Sequence, residues 1–182
     1  MPYDPTILAR LEQLPDCSPG NDAISQFGAE FRDIANPDAF LKDRMTNLIR
    51  HYHLDTVGIP LPRGNYEICF HHYDPEIVDV DRPDGTVEQI LQVARASTEK
   101  ELFEDGSYRF DAIWISDVFR NPNEADPLSD PERVPSKFIH ELAHVVGMIA
   151  RIPDEDHWTH GPDFQLIRVQ LQRITGIDIP IV

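Results

Sequence analysis

The sequence predicts a single α+β domain, and three observations support this fold class. Apolar residues recur at helical spacing in the first third of the chain and again after residue 132. Between these regions lie two short segments rich in aromatic and β-branched residues, 66–73 and 108–116, which predict strands. With 182 residues and 41% hydrophobic content, the chain is long and apolar enough to bury a core.

The amino-terminal segment is rich in residues that interrupt regular structure. Residues 1–21 contain four prolines and one glycine, so we expect an irregular arm with at most a short helix around 6–13. The domain itself is expected to span residues 22–182, because no later segment has the composition of a linker.

Two helices are expected next. Residues 22–34 place large apolar side chains at helical spacing. Asn36-Pro37 then breaks the chain, and a proline suits the first turn of a second helix over about 37–53.

The middle of the chain is predicted to alternate between strand and helix. An extended piece is expected over 76–80, before a turn at Asp84-Gly85. Thr86 and Gln89 have the spacing of a capping box, so a helix is predicted from there to about residue 102.

The last third is predicted to contain two helices. The first begins at about 132 or 135 and ends near residue 151, and apolar residues cover most of its circumference, as in a buried helix. The second runs from Pro162 to about 174, with Gly176 as its carboxyl-terminal stop.

The first of these helices contains the sequence HELAH, which is an H-E-x-x-H motif. His140 and His144 are four residues apart, so they project from one side of the helix, roughly 6 Å from each other, and can bind one metal ion. Glu141 projects about 100° further around the helix, where it can hold a metal-bound water without being a ligand. We therefore expect a Zn2+ site in which Glu141 is the catalytic general base.

A third ligand would complete a zinc site that leaves one position open for water. His160 is favoured, because the chain turns back after Pro153 and His160 lies just before the last helix. His157 and Asp163 remain alternatives, although an acidic residue at the start of a helix is also favoured without any metal.

Together, the HELAH motif and the HGPDF sequence at 160–164 resemble the SprT-like (Spartan-type) zinc metallopeptidases, over about residues 132–174. The resemblance implies a zincin-like domain in which a small β-sheet packs against the HExxH helix. It also implies that the zinc ligands are His140, His144 and His160, and that Glu141 is the general base.

Two parts of the family pattern are missing or changed. Many family members end in a zinc ribbon of paired cysteines, whereas this sequence has only Cys17 and Cys69 and no C-x-x-C motif. Spartan-type enzymes act on proteins crosslinked to DNA, but the net charge here is −16, so we expect no direct binding of nucleic acid and none of anionic membranes.

The zincin resemblance also bears on how substrate would bind. Zincins usually pair an extended substrate with the strand before the active helix, and 108–116 is the best match, although it is equally compatible with an ordinary sheet strand. Four residues are candidates to stabilise the oxyanion, and the sequence does not choose among them: His157, Tyr66, Tyr73 and Arg151.

The sequence thus predicts a zinc-dependent metallopeptidase that hydrolyses peptide bonds of a protein or peptide substrate. Its acidity is typical of a solvated surface, and alternatively favours basic substrates. The competing hypothesis is a non-catalytic zinc-binding acidic protein that binds a basic partner. No Sec signal and no run of about 18 apolar residues is present, so the cytoplasm is the expected compartment, although export by a non-Sec route would leave no such trace.

Overall fold

A computed structural model of the protein describes residues 4–17, 27–62, 67–71, 76–82, 85–92, 96–102, 108–116, 119–120, 130–153 and 160–179. Within these ranges the α-helices are α1 (Pro5–Gln13), α2 (Phe27–Asp33), α3 (Pro37–His51), α4 (Val134–Ala150) and α5 (Pro162–Thr175). The strands are β1 (Glu67–His71), β2 (Glu76–Asp81), β3 (Val87–Gln92), β4 (Ala96–Leu102) and β5 (Tyr108–Ser116).

The described strands form two sheets. The larger has the order β1-β5-β4, with β5 parallel to β1 and antiparallel to β4. The smaller is an antiparallel hairpin of β2 and β3. Helices together with a small mixed sheet and a hairpin make this an α+β fold, as predicted.

Most of the predicted elements are present. The strands expected over 66–73, 76–80 and 108–116 are confirmed as β1, β2 and β5, and the helices expected over 37–53 and 132–151 are confirmed as α3 and α4. The helix expected over 22–34 is confirmed as α2 from Phe27 onward, while residues 22–26 lie outside the described ranges.

The helix predicted from Thr86 to about 102 is wrong, because this region forms β3 and β4. Gly85, at φ 82°, lies in a turn in which its N–H donates to the carbonyl of Arg82 at 2.9 Å. β3 then pairs with β2, and β4 pairs with β5. The apolar residues here satisfy a helical period locally, but pairing with distant strands decides the structure.

The expectation that strand 108–116 pairs with a substrate is also wrong. β5 is hydrogen-bonded to β1 on one side and to β4 on the other, so its backbone groups are already paired. An extended peptide can add only to the edge of a sheet. β5 is therefore an interior strand of the core sheet.

The short helix expected in the amino-terminal arm is confirmed as α1, and it is part of the core. Its apolar residues Ile7, Leu8 and Leu11 are buried. The N–H of Asp4 donates to the carbonyl of Ala150 at 2.8 Å, which fixes the start of α1 against the end of α4. Helix α1 therefore packs against α4.

Helix α4 is the centre of the molecule and is buried on nearly all sides. It contacts α1, α5 and the sheet strands β4 and β5. Arg151 ends it in the left-handed conformation, and the N–H of Ile152 donates to the carbonyl of Gly147 at 3.0 Å. Among the described helices, none combines the length and apolar character needed to cross a membrane.

Helix α5 begins and ends as the sequence predicts. Pro162 occupies its first turn, and Gly176 closes it at φ 68° with its N–H donating to the carbonyl of Gln172 at 2.8 Å. α5 packs on α4, so the segment just before α5 lies beside the HELAH residues.

Candidate metal centre

Three histidines come together where α5 begins beside α4. His140 and His144 lie one turn apart on α4, and His160 is the residue before the cap of α5. Each offers a ring nitrogen, and the three nitrogens lie within 4.8 Å of one another. His140 and His144 are buried, and His160 is half-buried. The cluster can hold a metal ion.

The rings of these histidines are spaced around one point. Their centroids are separated by 5.2 Å (140–144), 4.9 Å (140–160) and 5.1 Å (144–160). Nε2 of His144 and Nε2 of His160 are 3.2 Å apart. Two nitrogens at about 2.0–2.1 Å from a tetrahedral ion would be about 3.3 Å apart. A hydrogen bond between two rings explains one short distance, whereas a shared ion explains why all three rings converge.

The electrostatics of the cluster favour neutral imidazoles. Burial, reinforced by the charges of His160 and Lys137, lowers the pKa of His140 to about 4. Burial, followed by the charge of Lys137, also lowers the pKa of His160. A neutral imidazole has the free lone pair that a metal needs. These rings are therefore in the protonation state of ligands at neutral pH.

His140 also has an unsatisfied ring nitrogen. Its Nδ1 is buried and has no hydrogen-bond partner in the described part of the chain. A buried polar atom in this state costs free energy unless something binds the group. Within the described residues, Nδ1 of His140 thus lacks the hydrogen bond that a buried structural histidine usually makes.

Glu141 lies beside this cluster and is held by a residue of the sheet. Its side chain is only 4% exposed, and Oγ1 of Thr98 on β4 donates to its Oε2 at 2.6 Å. Burial raises the pKa of Glu141 from 4.5 to about 7, against the smaller effects of the Thr98 hydrogen bond and the Lys137 charge. A carboxylate with a pKa near neutrality can both accept and return a proton.

The ring of Phe164 packs against all three histidines. Its ring centroid is 4.5 Å from those of His144 and His160 and 5.4 Å from that of His140. Phe164 is 1% exposed and belongs to the hydrophobic core, so the cluster packs directly on the core through this ring. This contact gives a physical role to the phenylalanine of the HGPDF sequence.

The other predicted site residues are not brought to the cluster within the described ranges. Asp163 lies in the first turn of α5 and is not among the residues whose ligand atoms converge. Arg151 is exposed at the end of α4, about two turns beyond His144, and its charge acts on Asp4. Three further candidates, His157, Tyr66 and Tyr73, lie outside the described residues.

Sequence reasoning missed two residues of the site. Thr98 was placed in a predicted helix, and it is 43 positions away from Glu141 along the chain. Lys137 lies one turn before His140, and its charge acts on His140, Glu141 and His160. The helical spacing of Lys137 was visible in the sequence, whereas the approach of Thr98 depends on how the sheet packs against α4.

Comparisons with protein-family models, curated proteins and solved structures found no match. The resemblance to SprT-like peptidases therefore rests on the two motifs, and the functional argument rests on the geometry of the site.

Proposed function

We propose that this protein is a zinc-dependent metallopeptidase with a zincin-like fold, related to the SprT-like group. One observation carries the proposal: three histidines converge beside a buried carboxylate that is not one of the converging ligands. A site that only binds metal needs the first feature, whereas hydrolysis needs both.

The donor set fits zinc. Three imidazole nitrogens without thiolates match catalytic zinc sites, which use three protein ligands and keep one position open. His140, His144 and His160 would hold the ion. When bound, zinc supplies Lewis-acid activation of water and polarisation of the scissile carbonyl.

Glu141 acts as the general base in this proposal. Its carboxylate takes a proton from the attacking water and later delivers it to the amine that leaves. Burial, which raises the pKa of Glu141 to about 7 in the metal-free protein, makes its carboxylate a stronger base than a solvent-exposed glutamate. Thr98 holds one carboxylate oxygen, so Glu141 keeps a fixed orientation during these transfers.

Of the two edge strands of the larger sheet, β1 and β4, strand β4 is the one that lies next to Glu141 and can receive an extended substrate there. It lies at one end of the larger sheet, and no strand pairs with its other edge within the described residues. Thr98 on this strand touches Glu141. A peptide that added to β4 would therefore run close to the general base. The net charge of −16 favours peptides that carry basic residues.

The burial of Glu141 argues against a non-catalytic role. Its raised pKa means that the ionised carboxylate destabilises the folded state, because burial disfavours the charge. A structural metal site has no need for such a group beside its ligands. Groups of this kind are concentrated at functional sites.

Two variants test the proposal. The parent protein is expected to bind one equivalent of zinc, and His140→Ala is expected to lose it. Glu141→Gln should keep the zinc and lose peptidase activity, measured by mass spectrometry on a peptide library that contains basic, neutral and acidic members. Cleavage by Glu141→Gln at the parental rate would overturn the catalytic assignment, and so would a zinc-loaded parent that cleaves no member of the library.

A further inference from the structure

His160 differs from the other two histidines of the cluster in how it is held. His140 and His144 are fixed by the helix α4, whereas His160 precedes α5 and has a left-handed backbone with φ 57°. Histidine adopts this conformation more readily than most residues, but it remains uncommon. The backbone of His160 therefore needs contacts that hold it in place.

Hydrogen bonds from α5 supply these contacts. Nε2 of Gln165 donates to the carbonyl of His160 at 2.9 Å. Nε of Arg168 donates to Oε1 of Gln165 at 2.7 Å. The guanidinium of Arg168 also donates to the carbonyl of Ile179 at 2.6 Å, and Ile179 is fully buried. Three bonds thus link the backbone of His160 to the core near the carboxyl-terminal end of the described chain.

The polarity of this chain of bonds fixes the orientation of the Gln165 amide. Arginine can only donate, so it must meet the amide oxygen, and a backbone carbonyl can only accept, so it must meet the amide nitrogen. A flipped amide would lose both bonds. Arg168 therefore orients Gln165, and Gln165 holds His160.

We propose that Gln165, oriented by Arg168, is a positioning residue that sets the metal affinity of the cluster through the backbone of His160. This inference rests on the metal site of the proposed function but not on catalysis. Residues that orient metal ligands commonly change metal affinity by about 10- to 100-fold when they are replaced.

Helix α5 contains a matched control. Nε of Arg173 donates to Oε1 of Gln170 at 2.9 Å, which repeats the Gln165–Arg168 pair at the same spacing. The other guanidinium nitrogens of Arg173 donate to the carbonyls of Leu11 and Leu14, at the carboxyl-terminal end of α1. Gln170→Leu therefore makes the same chemical change on the same helix without touching His160.

The test is zinc affinity, measured by competition with a chelator, for the parent, Gln165→Leu, Gln165→Glu and Gln170→Leu. We expect about 10-fold or greater loss for Gln165→Leu. Gln165→Glu should show a comparable loss, because it keeps an acceptor for Arg168 but has no donor for His160. Gln170→Leu should stay within about 3-fold of the parent, since no ligand depends on it.

Each outcome decides the inference. Zinc affinity in Gln165→Leu and Gln165→Glu equal to that in Gln170→Leu would overturn the positioning role while leaving the metal site intact. If Gln165→Leu does not fold, the folded Gln165→Glu variant decides the question by the same measurement. A parent that does not bind zinc would overturn both the inference and the metal site. Zinc binding without peptidase activity would remove only the proposed catalysis.

Discussion

Replacing Glu141 with glutamine is expected to stabilise the metal-free protein, by an amount that grows as the pH rises. Burial raises the pKa of Glu141 from 4.5 in the unfolded chain to about 7 in the folded one. Between these values the folded state binds more protons than the unfolded state, so stability falls as the pH rises. Glutamine has a similar shape and does not ionise, so the variant escapes this loss.

The size of the effect follows from the pKa difference. The two values differ by about 2.5 units, and each unit corresponds to about 1.36 kcal/mol. Between about pH 4.5 and about pH 8, the free energy of unfolding of Glu141→Gln should therefore gain about 3 kcal/mol relative to the parent. Titration of the histidines affects both proteins in the same way, so it cancels in the comparison.

Urea unfolding of the metal-free proteins across this pH range measures the difference. Glu99→Gln is the matched control, because Glu99 lies on β4 and is exposed. The stability of Glu141→Gln should depend on pH more strongly than that of this surface variant, each taken relative to the parent. A Glu141→Gln curve that stays parallel to that of the parent would refute the argument that burial disfavours the charge of this carboxylate.

Three further predictions concern two residues that contact the site, Thr98 and Phe164, and the carboxyl-terminal cap of α5, Gly176. Thr98→Val removes a hydrogen bond to the buried carboxylate of Glu141, so kcat should fall about 10-fold while zinc affinity is kept. Thr98→Ser keeps the hydroxyl and should restore most of the activity. Equal kcat values for Thr98→Val and the parent would contradict this role of Thr98. Phe164→Ala should lower the free energy of unfolding by about 3–5 kcal/mol and weaken zinc binding, because the ring packs against all three histidines. A loss below about 1 kcal/mol, measured by denaturant unfolding, would count against that packing. Gly176→Ala should lower the free energy of unfolding by about 1–2 kcal/mol, because φ is 68° and an added Cβ would lie 3.0 Å from Sγ of Cys17. In thermal unfolding, the double variant Gly176→Ala/Cys17→Ala should recover part of this loss. An unchanged unfolding midpoint for Gly176→Ala would contradict the prediction.

Features that depend on neighbours along the chain were predictable from the sequence. The spacing of His140 and His144 determines that they share one side of α4, whatever α4 packs against. Gly176 ends α5 because a left-handed residue is needed there. The density of β-branched and aromatic residues in 108–116 is sufficient to identify β5.

Features that depend on distant contacts were not predictable in this way. The region from Thr86 to residue 102 has an amphipathic pattern, but β2 and β5 provide partners that make it two strands. The same pairing brings Thr98 to Glu141 and leaves β5 without a free edge. A sequence pattern shows which side chains share a face, but it does not show which strand lies beside which.

The position of His160 beside α4 was only partly predictable from the sequence. The HGPDF sequence suggested a third ligand through its resemblance to a known motif, while the physical reasoning from spacing left His157 and Asp163 open. Among the described residues, the ring of His160 converges with those of His140 and His144, and Asp163 does not join them. The bonds from Gln165 that hold His160 depend on side-chain geometry, which no spacing rule gives.

An anomalous diffraction map at the zinc edge, from crystals of the zinc-loaded protein, tests the metal centre most directly. The expected result is one peak at about 2.0–2.1 Å from a ring nitrogen of each of His140, His144 and His160. Zinc-loaded crystals without a peak at this position would contradict the proposed site. A peak whose third ligand is Asp163 or His157 would contradict the assignment of His160.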